Sequence, residues 1–221
     1  MATISRSVEY PTSDRKPMAE TDAHHAVMVD LIGVLEAYYV DDPMTYASGD
    51  LLLFYEEGDN RRHLAPDVFV VRGVAKHRRL NYLMWEEGKA PDLVIEITSK
   101  STRKEDQGPK RTLYREQLRV PEYFQFDPFS EYLRPSLQGF RLIDGDYRPI
   151  EPVDRRLPSL VTGLHFEPVG EDLRLFSPTL GRWLPTDRER IREAEAATFA
   201  AEAEIDRLRK EIAMLRGSNG G

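Results

Sequence analysis

The sequence predicts a mixed α/β chain of the α+β kind. One compact domain runs helix, β-rich hairpin, strand, helix, strand, then further short β elements, and a long helix follows it. Three observations predict this. Residues 22–40 carry Val27, Leu31, Val34, Leu35 and Tyr38 at helical spacing. Two runs, PDVFVV at 66–71 and PDLVIEIT at 91–98, are β-branched and begin at turn-forming residues. Residues 187–216 are rich in Ala, Glu and Arg and contain no Gly or Pro. The order is not a repeating βαβ pattern, and no internal repeat is visible.

Each element has a local reason. Residues 1–20 are polar with two prolines and read as a loose lead-in. Asp22 can cap the first helix, and Asp41-Asp42-Pro43 stops it. Asp50–Tyr55 reads as a strand and residues 56–60 (EEGDN) as a turn. The basic link 72–90 holds Leu80, Tyr82, Leu83, Met84 and Trp85 and reads as a further strand or a lid. After 91–98, SKSTR at 99–103 is a turn with capping residues. Residues 104–119 form a helix in which Pro109 is tolerated only in the first turn, which moves the regular start toward 107. Val120–Phe126 is the next strand, ended by Asp127-Pro128. Short strands over 129–182 complete the same core. From 187 the apolar or small residues Ile191, Ala194, Thr198, Ala201, Ile205, Leu208, Ile212 and Leu215 alternate at steps of three and four, a heptad seam. GSNGG at 217–221 is a frayed tail.

Composition excludes several chemistries. Among 221 residues there is no cysteine, which removes disulfides, thiol nucleophiles and cysteine-held zinc or iron–sulfur centres. No long charge-free apolar run exists for a membrane span, and the first twenty residues lack the apolar core of a signal peptide, so the expected location is the cytoplasm. Net charge is −7, yet residues 61–89 and 99–119 each hold seven basic against three acidic side chains. Both stretches suit contact with phosphates. No P-loop, zinc finger or helix-turn-helix signature is present.

The informative oddity is Glu96, a carboxylate inside VIEI. A charge buried among such neighbours requires a partner or a metal. Asp92 shares its strand face but lies about 13 Å away at ~3.3 Å per residue. If the strands at 66–71 and 91–98 pair antiparallel, Asp67 comes beside Glu96 and Thr98. Two carboxylates on neighbouring strands suit a hard cation such as Mg²⁺. Lys110 and Tyr114 lie four apart on one face of the following helix, from which Lys110 can reach those carboxylates while Tyr114 reads as a packing residue, and Asp106 can also pair with Lys110.

PDLVIEITSKSTRKEDQGPKRTLYREQLRVPEYFQFDP resembles the signature of the Uma2 family, also called DUF820. The resemblance extends over about residues 20–180, including the helix with His25, APDVFVV and LPSLVTGLHF. The family is grouped with the PD-(D/E)XK nucleases, whose restriction-endonuclease-like core is αβββαβ. It implies a Mg²⁺-dependent (or Mn²⁺-dependent) endonuclease acting on DNA. Asp67 and Glu96 would hold the metal and Lys110 would assist, with Asp92 as the competing aspartate and Glu36 as an extra acidic residue. The usual lysine two positions after the glutamate is replaced by Thr98, and Lys110 on the next helix stands in for it. His24-His25 near the helix start pack or cap on the plainer reading. Two alternatives accompany the nuclease: a non-enzymatic interaction protein keeping a nuclease-like core, and an RNA or nucleotide phosphodiesterase. The heptad helix predicts a homodimer.

Overall fold

The first helix forms as α1 (Asp22–Tyr38). Its N-cap is Thr21, one residue before the expected Asp22: the Thr21 backbone is extended, and its hydroxyl accepts the His24 N–H at 3.1 Å. This computed structural model describes residues 8–13, 21–99 and 108–218, with no side chains for 213 and 215–218. The turn at 100–103, the first residues of the second expected helix, Asp106 and residues 219–221 lie outside the described residues, as does the lead-in apart from 8–13. Those six residues are docked: Tyr10 packs on Phe54 and Trp85 at 5.0 and 5.1 Å, and its hydroxyl accepts the Gly58 N–H.

The chain divides into two compact units, 1–184 and 185–221. The centre of the first is a six-stranded sheet. Its strands in chain order are β1 (Thr45–Ser48), β4 (Val68–Arg72), β6 (Leu93–Ile97), β7 (Glu122–Phe126), β8 (Leu137–Ile143) and β9 (Asp146–Pro149), which is also their spatial order. Between β1 and β4 lie β2 (Leu53–Phe54) and β3 (His63–Leu64). With β5 (Tyr82–Leu83) they make a small separate sheet. The strand expected at 50–55 therefore shrinks to two residues, and the first strand of the main sheet is β1, which sequence reading missed. TYAS has little β-branched content and is extended because it pairs with β4.

The link 72–90 contains β5 and a single helical turn, α2 (Met84–Glu87). Arg79 pins it, with a fork onto Glu87 at 2.6 and 2.8 Å and its guanidinium 4.1 Å above the Tyr46 ring. Then α3 (Pro109–Glu116) opens on Pro109 and carries the crossover from β6 to β7, the parallel pair of the main sheet. Taken in order, α1, β1, β4, β6, α3 and β7 form αβββαβ. The fold is therefore the restriction-endonuclease-like α/β core the sequence suggests.

Residues 157–183 form a second sheet of β10 (Leu157–Pro158), β11 (His165–Val169), β12 (Asp172–Ser177) and β13 (Arg182–Trp183). Strand alternation then sorts the main sheet's side chains into two cores. Val68, Val70, Leu93, Ile95, Ile97, Phe124 and Phe126 pack with Val27, Leu31 and Leu35 of α1 and with Phe166 and Leu175 of the second sheet. Phe69, Val71, Val94, Tyr123 and Phe140 pack on the other face with Tyr114 of α3 and Leu118 just beyond it. The late strands thus complete the first core.

The second unit is α4 (Asp187–Ser218), a helix of 32 residues that continues past Gly217. Ile191, Ile205, Leu208 and Ile212 of its seam are all exposed.

Candidate active site

Antiparallel pairing of β4 with β6 sets Val68 opposite Ile95, so one step further Asp67 stands opposite Glu96. Asp67 is fixed from several sides. The Ile97 N–H donates to its Oδ2 at 2.7 Å, and His24 Nε2 lies 3.1 Å from its Oδ1. Gly49 passes so close that a β-carbon there would fall 1.9 Å from the Asp67 carbonyl oxygen. Only glycine lets that backbone approach.

Glu96 is 1% exposed. The Tyr114 hydroxyl donates to Oε1 at 2.6 Å and Lys110 Nζ donates to Oε2 at 3.2 Å. One turn of α3 delivers both donors because side chains four apart share a helix face. Tyr114 is itself held in a stack: its ring lies 5.3 Å from Tyr123, which lies 5.8 Å from Tyr147 at 19°. Burial first, then the charge of Glu96 and the bond to it, push the Tyr114 hydroxyl well above the ordinary phenol range. It therefore stays protonated and remains a donor.

The structure separates the other candidates from this cluster. Asp92 sits at the opposite end of β6, accepting the Arg72 N–H at 2.7 Å and pairing with Lys89 at 2.9 Å. Those bonds tie the strand start, so the competing aspartate does not meet Glu96. Glu36 is exposed and twelve residues beyond His24, about 18 Å along α1 at ~1.5 Å per residue. His25 is exposed, whereas its neighbour His24 is buried against Asp67. Sequence reading missed His24. The available signal was its spacing: residues 24, 27, 28 and 31 form one helical stripe, and that stripe is the buried one.

Two further carboxylates of the signature are structural. Glu122 accepts from Arg141 Nε, Arg141 Nη2, Ser159 Oγ, Leu160 N and Val161 N. Asp127 Oδ2 accepts the Tyr132 and Leu133 N–H groups, closing the turn after β7.

Asp67 and Glu96 are hard oxygen donors on adjacent strands. Among the described residues no three His, Asp or Glu side chains form a ready cation cage. A two-carboxylate set fits Mg²⁺, which keeps several waters and takes one or two protein carboxylates beside substrate phosphates. No helix among the described residues is long and apolar enough to cross a membrane.

A crystal structure from Anabaena variabilis ATCC 29413, described as "a putative nuclease belonging to DUF820", is similar at 16% identity and a TM-score of 0.47, over 65% of this chain and 75% of that one. No curated protein sequence matches. The profile of Uma2, described as "Putative restriction endonuclease", matches residues 8–188. That span contains His24, Asp67, Glu96, Lys110 and Tyr114 together with both sheets, and the chain belongs to the Uma2 family.

Proposed function

We propose that the protein is an endonuclease hydrolysing phosphodiester bonds of DNA, with Mg²⁺ as its cation and Mn²⁺ able to replace it. The observation that carries this reading is the placement of Asp67 opposite Glu96 with Lys110 reaching the same carboxylate from α3. When bound, the cation activates water and offsets the charge that builds on phosphorus. Asp67 and Glu96 hold it. His24 and the Ile97 N–H orient Asp67, while Tyr114 keeps Glu96 from turning. The Lys110 ammonium, a quarter exposed, faces both Glu96 and solvent and neutralises an incoming phosphate. The basic stretches 61–89 and 99–119, which in sequence contain Asp67 and Lys110, favour nucleic acid despite the net charge of −7.

Incubation with supercoiled plasmid and Mg²⁺ or Mn²⁺ should give nicked and linear products, and Asp67→Ala or Glu96→Ala should abolish them. Undiminished cleavage by both variants rejects the assignment. A panel of single- and double-stranded DNA and RNA separates the DNA reading from an RNA-directed one.

The exposed seam of α4 supports a homodimer in which Ile205, Leu208 and Ile212, each nearly half exposed, meet a second copy. This seam also favours the second reading, in which assembly is the function and the core is inactive. Sedimentation of the full chain and of residues 1–186 should give dimer and monomer; a dimer that survives truncation removes the helix as its cause. A cytoplasmic location accords with an intracellular DNA substrate.

A further inference from the structure

The α3-facing side of the main sheet carries one level of polar side chains. Asp67 stands opposite Glu96, Glu96 opposite Gln125, and Gln125 opposite Gln138. The next level on that face is apolar, with Phe69, Val94, Tyr123 and Phe140. Thr98 extends β6 by one step, its N–H donating to the Phe126 carbonyl at 2.7 Å, so its side chain falls on the Glu96 face one rung on, opposite Asp127 and diagonal to Gln125.

Two atoms at this end of the face are orphaned. Among the described residues, Gln125 Nε2 and Thr98 Oγ1 are buried and have no hydrogen-bond partner. Their residues are 1% and 2% exposed. Burying an unpaired amide or hydroxyl is costly, and where it persists it calls for an absent oxygen or a catalytic role. Nearby buried carboxylates show what satisfaction looks like here, since Glu122 and Asp127 are closed by several donors each. Gln125 is as buried as Glu96 and stands opposite it on the next strand.

We propose that Thr98 and Gln125 form the neutral wall of a phosphate cradle whose charged wall is Lys110, each donating to a non-bridging oxygen of the bound phosphodiester. This rests on the nuclease reading and deepens it. Neutral donors suit these two positions for a physical reason. A second ammonium beside Glu96 would be drawn into an ion pair and would compete with a cation for the carboxylates. An amide and a hydroxyl can hold an anionic oxygen without doing so.

The test is a titration of the isotope-labelled full chain with dimethyl phosphate in the presence of Mg²⁺, following the side-chain NH₂ signals of Gln125 and the side-chain signals of Lys110. Through-bond correlation assigns both without a variant. Both should shift along one saturation curve. Thr98→Val should weaken the dissociation constant about tenfold, and Thr98→Ser should restore it. In single-turnover plasmid cleavage, Gln125→Leu should slow the reaction about a hundredfold. Lys110 signals that shift while Gln125 stays still overturn the cradle and leave the nuclease reading standing. If neither shifts, the phosphate-binding reading of the whole site fails, and the cradle with it.

Discussion

Glu96 and Glu122 are both 1% exposed, both on central strands of one sheet, yet they have opposite environments. Glu122 points to the α1 side and is enclosed by its own fold, with two guanidinium nitrogens, a hydroxyl and two backbone N–H groups spanning β8 and the loop after β10. Glu96 points to the α3 side, where Tyr114 and Lys110 approach from one short helix and a second carboxylate stands on the next strand. Burial of a charge alone therefore does not mark a functional site. What separates them is the chemistry of the neighbours: Glu122 is enclosed by five donors, whereas Glu96 has Tyr114 and Lys110 and is set beside Asp67, another anion.

Mutation should split the pair cleanly. Glu96→Ala is expected to lower plasmid cleavage about a thousandfold or more while the protein still folds, because the proposed cation site would supply several kcal/mol of transition-state stabilisation. Glu122→Ala should do the reverse. It strands Arg141 and should lower unfolding free energy by about 3–5 kcal/mol in urea titrations, with normal cleavage by the molecules that remain folded. Equal stability losses with no difference in cleavage would erase the distinction.

Tyr114→Phe sharpens it further. One hydrogen bond to a carboxylate is lost without changing the ring stack, so stability should fall by about 1.5–3 kcal/mol. If Tyr114 orients Glu96, turnover should drop at saturating DNA with little change in KM. A loss of stability alone would make Tyr114 structural like the Glu122 donors.

The smallest expected effect is alkaline. Burial raises the hydroxyls of Tyr39, Tyr82, Tyr114 and Tyr147 above the ordinary value near 10. The folded state then holds its protons above the pH at which the unfolded chain releases them. Stability from these groups is complete below about pH 10 and declines as pH rises through the higher folded values. Absorbance at the tyrosinate band should show these four ionising together with unfolding. Early, independent ionisation of all four would contradict their burial.

Much of this was legible in the chain itself. PDLVIEIT exposes Glu96 as a charge out of place, and Asp67 comes to it once the two β-branched runs pair antiparallel, as they do. Glu122 raised no such flag. In EYFQF it alternates with aromatics and reads as an ordinary outward residue, because its partners, Arg141 and Ser159, are 19 and 37 residues away. His24 was equally hidden: adjacent histidines look alike until the packed face of α1 is known.

Local pattern determined what each segment would be. Helical spacing specifies α1 and the α4 seam, β-branching specifies β4 and β6, and Pro109 specifies where α3 begins. These are properties of neighbours in sequence, set by backbone sterics and side-chain period. Tertiary structure decided which of those segments meet. It brought His24 rather than His25 to Asp67, held Asp92 at the far end of β6, left Glu36 in solvent, and made a strand of Thr45–Ser48 by pairing it to β4. Such outcomes depend on contacts between residues far apart in the chain, where packing and hydrogen-bond satisfaction of the whole core outweigh local preference.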